Sequence, residues 1–265
     1  MQLSRTEPRV SQQMPELDQR SSVALYLQGR RRKRKAAQNP PGPAGLSDGL
    51  VAHFAFEESS GNRIDDVNGY VLQTVGDEVY TTYGLMGAGP AWNETGYLMG
   101  TQSTSLFSPS VNGFTVSIWV NFADIPDPTF DVIIAGIWDD VNWPSGSSWY
   151  IYSGAPDDGN IHVFVLGAGW RELQTFGDLT VWTHVCLVYE PIGSDWTLYL
   201  NGAWAAEVNF DYASAPGLLG VGAHTNSVLT PPQGVFDELA IWSRALSTGE
   251  IDALYNNGAG LPYPY

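Results

Sequence analysis

From residue 48 onward the chain alternates apolar and polar positions in short runs interrupted by turn residues. Successive side chains leave a strand on opposite faces, so a period of two over roughly 4–8 residues marks a half-buried strand. Leu50, Ala52, Phe54 and Phe56 share one face of a run at residues 50–56. Phe114, Val116, Ile118, Val120 and Phe122 do the same over 113–122, the clearest strand pattern in the chain. Runs at 70–75 and 78–83 flank Gly76-Asp77, a turn pair that predicts a hairpin. Further strands are predicted at 131–137, 148–153, 160–166 and 234–243. The run 182–189 is apolar on both faces, which predicts a central strand. Residues 196–200 and 203–210 flank Asn201-Gly202, and both turn residues tolerate positive φ, so a type I′ hairpin is expected there.

One helix closes the pattern. Ser247 and Glu250 have capping-box spacing, Ile251, Leu254 and Tyr255 fall on one helical face, and Gly258 suits the stop. About a dozen short strands and one C-terminal helix predict an all-β fold, a two-sheet antiparallel sandwich.

Composition agrees: 29 Gly, 17 Pro and only two lysines suit a turn-rich β protein. Hydrophobic content of 43% and aromatic content of 12% are ample for a core and exclude global disorder. No apolar run approaches 18 residues, so no membrane insertion by a helix is expected. A single cysteine, Cys186, excludes an internal disulfide framework and a multi-cysteine zinc site.

Charge changes the picture more. The net −16 divides into +6 over residues 1–47 and −22 over residues 48–265, where only Arg63, Arg171 and Arg244 are basic. Residues 1–47 therefore read as an extended basic N-terminal arm and Pro/Gly linker, and 48–265 as the folded domain. The arm carries six consecutive cations, Arg30, Arg31, Arg32, Lys33, Arg34 and Lys35, followed by the stiff segment 39–45. Such a block suits nucleic-acid phosphates, a nuclear import signal or an acidic protein surface. The apolar stretch at 23–27 is too short for a secretory signal and precedes the basic block, so no secretion signal is expected.

Several segments together resemble one family. His53-Phe54-Ala55-Phe56-Glu57 before the Ser60-Gly61 turn is similar to its opening strand, and Asp65, Asp66 and Gly69 resemble a degraded form of its acidic loop. Residues 114–120, 182–185 and 198–202 resemble its middle strands, and residues 236–247 with Glu250-Ile251 are nearly its full closing motif. The chain thus resembles the laminin-G-like, concanavalin A-like jellyroll family over about residues 48–258. That resemblance implies a jellyroll sandwich, often binding carbohydrate or protein and frequently holding one structural calcium. Function still has to be argued from a site, because unrelated functions share folds.

The resemblance makes calcium the one candidate cofactor. In similar jellyrolls an acidic residue after the first strand and the Asp of the closing strand meet a metal, and the matching positions are Glu57 and Asp237. The alternative is that Asp237 caps a turn or pairs with Arg244 while Glu57 is merely exposed. For a glycan, the candidates are Trp138, Trp143, Trp149 and Trp170, in or near loops rich in Gly, Pro, Ser and Asp, because rigid aromatic faces stack on sugar C–H faces. Trp119, Trp182 and Trp242 sit in strand motifs and read as packing.

An enzyme is not expected. Jellyroll glycosidases place paired carboxylates at alternating spacing on one strand, and no such run exists. Asp237 and Glu238 are adjacent and should face opposite ways. His53, His162, His184 and His224 lack metal-ligand spacing; His184 and Cys186 read as core residues. Two functions stay open. The first is a virion structural protein, a phage capsid decoration or tail-associated protein made in the host cytoplasm. Its arm would anchor it to capsid or tail proteins, to nucleic acid, or to another copy in a homo-oligomeric assembly. The second is a carbohydrate-binding adhesin module that uses the loop tryptophans.

Overall fold

The computed structural model describes residues 45–76, 80–91, 96–104, 106–122, 132–138, 148–153, 160–166, 170–212, 216–222 and 234–265. Among the described residues sixteen strands run in chain order: β1 (Leu50–Phe54), β2 (Arg63–Ile64), β3 (Val71–Val75), β4 (Tyr80–Tyr83), β5 (Ala88–Ala91), β6 (Tyr97–Gly100), β7 (Phe114–Phe122), β8 (Val132–Trp138), β9 (Ser148–Ser153), β10 (Asn160–Leu166), β11 (Trp170–Phe176), β12 (Thr183–Glu190), β13 (Asp195–Leu200), β14 (Ala203–Asn209), β15 (Leu218–Val221) and β16 (Gly234–Trp242). They form two antiparallel sheets. The first has the order β14-β13-β12-β7-β16-β5-β4, with β1 also on β16, and the second β11-β10-β9-β8-β15-β6-β3-β2.

Period-two patterning builds the core between them. Phe114, Val116, Ile118, Val120 and Phe122 point inward from β7 and meet Trp149, Ile151, Ile161, Val163 and Val165 of the second sheet. β12 lies inside the first sheet, between β7 and β13. Its second apolar face, Cys186 and Val188, is buried under α1 (Thr248–Tyr255) together with Leu46, Trp242, Leu246, Ile251 and Leu254. The capping box forms as expected, with Ser247 and Glu250 satisfying each other's backbone N–H. Asn201 and Gly202 both take positive φ and join β13 to β14.

Three expectations are corrected. The runs around Gly76 do not pair with each other: β3 pairs with β2 and β6 in the second sheet, whereas β4 pairs with β5 in the first. A Gly-Asp step permits a sharp change of direction but does not specify that its flanks pair; here the chain crosses from one sheet to the other. The boundary drawn at 47 falls inside a turn at residues 45–49 that belongs to the folded body. Leu46 is fully buried and its carbonyl accepts from Trp242 Nε1 at 2.7 Å. Finally, Asp237 and Glu238 do not face opposite ways. A bulge at this point, with Glu238 at φ 51°, puts two residues between core-facing Phe236 and Leu239. The segment carrying Arg30 to Lys35 lies outside the described residues.

Candidate functional site

The second sheet sends alternate side chains away from the core, and register aligns them in rows. One row crosses seven strands through successive cross-strand pairs: Gln73, Met99, Gly220, Gly136, Tyr150, Phe164 and Glu172. Tyr150 and Phe164 are half-buried and stack, ring centroids 4.7 Å apart and 18° from parallel. Beside them Gly136 and Gly220 leave the sheet without side chains. A Cβ at Gly136 would lie 2.4 Å from the Tyr150 Cβ, so Gly136 is required there by close approach. The result is an aromatic pair on this face, half-buried, with Gly136, Gly220, Met99, Tyr152 and His162 buried around it.

The neighbouring row supplies polar chemistry. Tyr152 and His162 pair across β9 and β10, and their rings stack at 4.8 Å. Both donate to one carboxylate oxygen, Glu172 Oε1: the Tyr152 hydroxyl through a short hydrogen bond and His162 Nδ1 at 2.7 Å. A carboxylate fixed by two donors keeps its second oxygen as an acceptor for a hydroxyl. An aromatic wall for C–H faces and an oriented acceptor are the two elements that a sugar ring requires of a protein.

The tryptophans predicted for this role divide. Trp149 points the other way: it is fully buried, its ring lies 5.1 Å from Phe114, and its Nε1 donates to the Phe107 carbonyl at 2.9 Å. It is a core residue, because its neighbour Tyr150 holds the outward position. Trp138 ends β8 and Trp170 begins β11, each two positions along its strand from a member of the row, Gly136 and Glu172 respectively. Trp143 and the side chains of Trp138 and Trp170 lie outside the described residues. Sequence reasoning missed Tyr150, Tyr152, His162, Phe164 and Glu172 because it looked for aromatics in loops. The signal was present: in 148–153 and 160–166 the positions between core residues are themselves aromatic.

Glu57 and Asp237 are brought to one turn. The Met86 N–H donates to Asp237 Oδ2 at 2.9 Å and the Ala88 N–H to Glu57 Oε1 at 3.1 Å. Asp237 therefore does cap a turn, while Arg244 pairs with Glu250 instead, at 2.6 Å. Asp237 Oδ1 is buried with no hydrogen-bond partner. Burial, with the charges of Glu238 and Glu57 adding to it, pushes the Asp237 carboxyl up to about 7. Burial also raises Glu57. Glycines leave the space: a Cβ at Gly84 would sit 2.5 Å from Asp237 Oδ2, and one at Gly87 1.9 Å from Glu57 Oε1. Two hard oxygen donors and an orphan carboxylate oxygen fit calcium chemistry. Among the described residues no three His, Cys, Asp or Glu side chains are grouped to hold a metal, so backbone carbonyls and water would complete such a set.

A family model described as the concanavalin A-like lectin/glucanases superfamily, laminin G type, matches residues 94–252. The chain belongs to this superfamily. The match begins later than the resemblance read from residue 48. No curated protein matches the chain. Among solved structures, this concanavalin A-like chain is similar to domain 4 of an extracellular GH43 arabinanase from Geobacillus stearothermophilus, in complex with arabinotriose. That match has 19% identity and TM-score 0.59 and covers 77% of this chain and 96% of the other. It is also similar to the binding domain of Paraclostridial Mosquitocidal Protein 1, at 18% identity and TM-score 0.61, covering 80% and 52%. A third is botulinum neurotoxin type C, whose cell entry depends on interaction with two ganglioside molecules, at 13% identity, TM-score 0.61, 80% and 52%. The chain spans about half the length of these toxin structures. At such identities the likeness shows the fold.

Two further histidines among the described residues of this concanavalin A-like domain, His184 and His53, are structural. His184 is buried, its Nε2 lies 2.8 Å from Ser117 Oγ, and burial pushes it down to about 3. Burial likewise pushes the Cys186 thiol far up, which removes it as a nucleophile. His53 is buried with both ring nitrogens on carboxylates, Asp66 at 3.1 Å and Glu238 at 2.7 Å. Since carboxylates only accept, both nitrogens carry protons. Burial alone would lower its pKa, but Glu238 and then Asp66 outweigh that and raise it. Tyr263 stacks on this ring at 4.5 Å, and Tyr265 meets it edge-on while stacking on Trp242.

Proposed function

We propose that this domain is a non-catalytic carbohydrate-binding module that receives a glycan across the outer face of the second sheet. The observation that carries the reading is the row from Met99 to Glu172, with the stacked Tyr150–Phe164 pair beside Gly136 and Gly220 and a carboxylate fixed at its end. The pair would take a sugar's C–H face and Glu172 a hydroxyl. The arabinotriose complex of the arabinanase domain and the ganglioside dependence of the neurotoxin support a glycan as ligand class. Tyr150→Ala is expected to weaken binding by about tenfold or more, the loss of one stacking contact and its buried area. Its thermal melting should fall less than that of a variant of the inter-sheet core, because the ring is half-buried and packs on Ile133 and Tyr152 rather than between the sheets. Titration calorimetry against a panel of oligosaccharides checks this; unchanged affinity for a retained glycan would sink the site.

Calcium at Glu57 and Asp237 is part of the same proposal, as a structural ion that fixes the turn at 84–87. Its absence has a defined pH signature. With Asp237 raised, the folded state keeps a proton between pH 3.8 and about 7 that the unfolded chain has released, so stability falls as pH rises through that window. The His53 contribution is full below 6.5 and is lost as pH rises through its raised folded value. His184, held down at about 3, acts in the opposite sense below 6.5, so in chelator the melting temperature of the parent should fall more than that of Asp237→Asn from about pH 5.5 to about pH 8. Calcium should raise the value at the higher pH, and Asp237→Asn should remove that rise. A calcium-induced rise of equal size in Asp237→Asn would exclude the pair as ligands.

The charge division supports a further proposal, that residues 1–44 anchor the domain in a larger assembly, a phage virion among the possibilities, through Arg30 to Lys35. Deleting residues 1–40 and measuring incorporation into particles tests it. The deletion should stop short of Leu46, which is part of the fold.

A further inference from the structure

We infer that the outer face of β13 and β14, at the edge of the first sheet, docks the basic run Arg30 to Lys35 of a second copy of this chain. The inference deepens the anchoring proposal, on which it rests, by naming one partner of that run; it is independent of the glycan reading. Register sets three rows on this face, two residues apart along β13: Glu190 beside Asp195, Thr197 beside Glu207, and Tyr199 beside Trp204. These positions point away from the core, because the alternate residues Trp196, Leu198, Ala206 and Val208 pack into it. The register shift between Leu198 and Tyr199 is what brings Trp204 to the same side as Glu207. The helix α1 covers Cys186 and Val188 on β12 and packs against Tyr199, whereas Glu207 and Trp204 are exposed.

The groups on this face are not used by the fold. Trp204 is 62% exposed, and among the described residues it has no ring contact and no hydrogen-bond partner. Glu190 and Glu207 are exposed, and among the described residues neither is in an ion pair. Glu207 has only a long contact from the Thr197 hydroxyl, at 3.5 Å. Burial raises the Tyr199 hydroxyl, and the charges of Glu190 and Glu207 add to that, so both carboxylates stand near this ring. An exposed indole with carboxylates beside it suits a guanidinium, which stacks on an aromatic face while its N–H groups bond carboxylates. The same polypeptide carries the complement, six consecutive cations against a net −22 in residues 48–265. Spacing agrees with charge. Adjacent rows lie about 7 Å apart, and a segment bound in extended form presents every second side chain at that same repeat. Alternate cations of the run would therefore meet the three rows in turn, two acidic and one aromatic.

Sedimentation equilibrium of the full chain at about 50 mM and about 500 mM salt tests this. The parent should self-associate at low salt and at least about tenfold more weakly at the higher salt. Trp204→Ala combined with Glu190→Gln and Glu207→Gln should weaken association at least about tenfold at low salt, the fold-change of one cation–π contact and two ion pairs. Its melting should stay near the parent's, since all three positions are exposed. Arg30→Gln through Lys35→Gln in the full chain should do at least as much, and a synthetic peptide of residues 29–36 should dissociate the parent. Asp48→Asn with Asp252→Asn removes the same charge from exposed positions outside the three rows and should change association by less than about threefold. Weakening by that control equal to that of the Trp204 triple variant would leave only diffuse charge and overturn the inference. Association lost in the six-Gln chain but kept in the triple variant overturns the face and leaves the anchoring role of the run standing. Association kept in the six-Gln chain removes the run from self-association and overturns the inference, with particle incorporation still deciding the anchoring proposal. A chain that stays monomeric at low salt also overturns it. If that monomer held an oligosaccharide that Trp204→Ala lost, the face would belong to a glycan instead.

Discussion

Trp149→Ala is expected to destabilise the domain by about 4 kcal/mol, the range for removing a fully buried indole from a packed core. Two losses combine. The cavity left beside Phe114 forfeits the transfer and dispersion energy of the ring, and the Phe107 carbonyl loses its buried donor. Urea denaturation should show a lower midpoint at unchanged slope, the sign of lost stability without a change in the surface exposed. Trp149→Phe keeps most of the volume and removes the donor, so about 1–2 kcal/mol should be lost. The contrast with the next residue is the informative part. Tyr150→Ala should cost glycan affinity and less stability than Trp149→Ala, which acts on stability first. The opposite ranking would mean that the two side chains had been assigned to the wrong faces.

Arg244→Ala should cost about 3 kcal/mol, as a partly buried, multiply bonded ion pair is broken on one side. Its guanidinium closes the fold at a point where four chain segments meet: the turn at 45–49, the end of β16, the 245–246 connection and the start of α1. Without it two turn carbonyls lose their donor, and Glu250 keeps only Ser247. The Arg244 hydrogen bond is the largest cause that holds Glu250 down at about 2. A depressed carboxylate contributes stability that is full above its unfolded value of 4.5 and is lost as pH falls toward 2. The difference between Arg244→Ala and the parent should accordingly be largest above about pH 5 and shrink on acidification. Guanidinium titrations at two pH values measure it, and a pH-independent difference would show that the carbonyl contacts carry all of the effect.

What the sequence disclosed was local. The β7 alternation, the Asn201-Gly202 turn and the Ser247–Glu250 box each rest on residues within one turn or one strand, and each formed as read. The central position of β12 was legible too, because burial on both faces leaves apolar residues at every position. What stayed hidden depends on register. Gly76 could equally turn a hairpin or pass the chain between sheets, and only the partners β6 and β5 decide. The bulge at Glu238 has no composition cue, yet it puts Asp237 and Glu238 on the same side. The row across the second sheet is the extreme case. Gln73, Met99, Gly220, Gly136, Tyr150, Phe164 and Glu172 become neighbours through six separate strand pairings, and no spacing along the chain announces them. Trp149 lies in the predicted strand 148–153 beside a loop, and the alternation Trp149, Ile151 against Tyr150, Tyr152 in that strand already distinguishes inside from outside.

The arginine placements bear on how the chain meets a protease. Trypsin needs an accessible Lys or Arg in a segment that can be pulled into an extended, unpaired conformation. In residues 48–265 one such bond follows buried Arg63, one follows clamped Arg244, and one follows Arg171, which on β11 is paired with Val165. Every other cleavable bond lies at or before Lys35. Brief digestion of the native protein should therefore strip the basic segment and leave a single fragment beginning close to residue 36. The acidic domain could then be prepared without its arm and without re-engineering the gene.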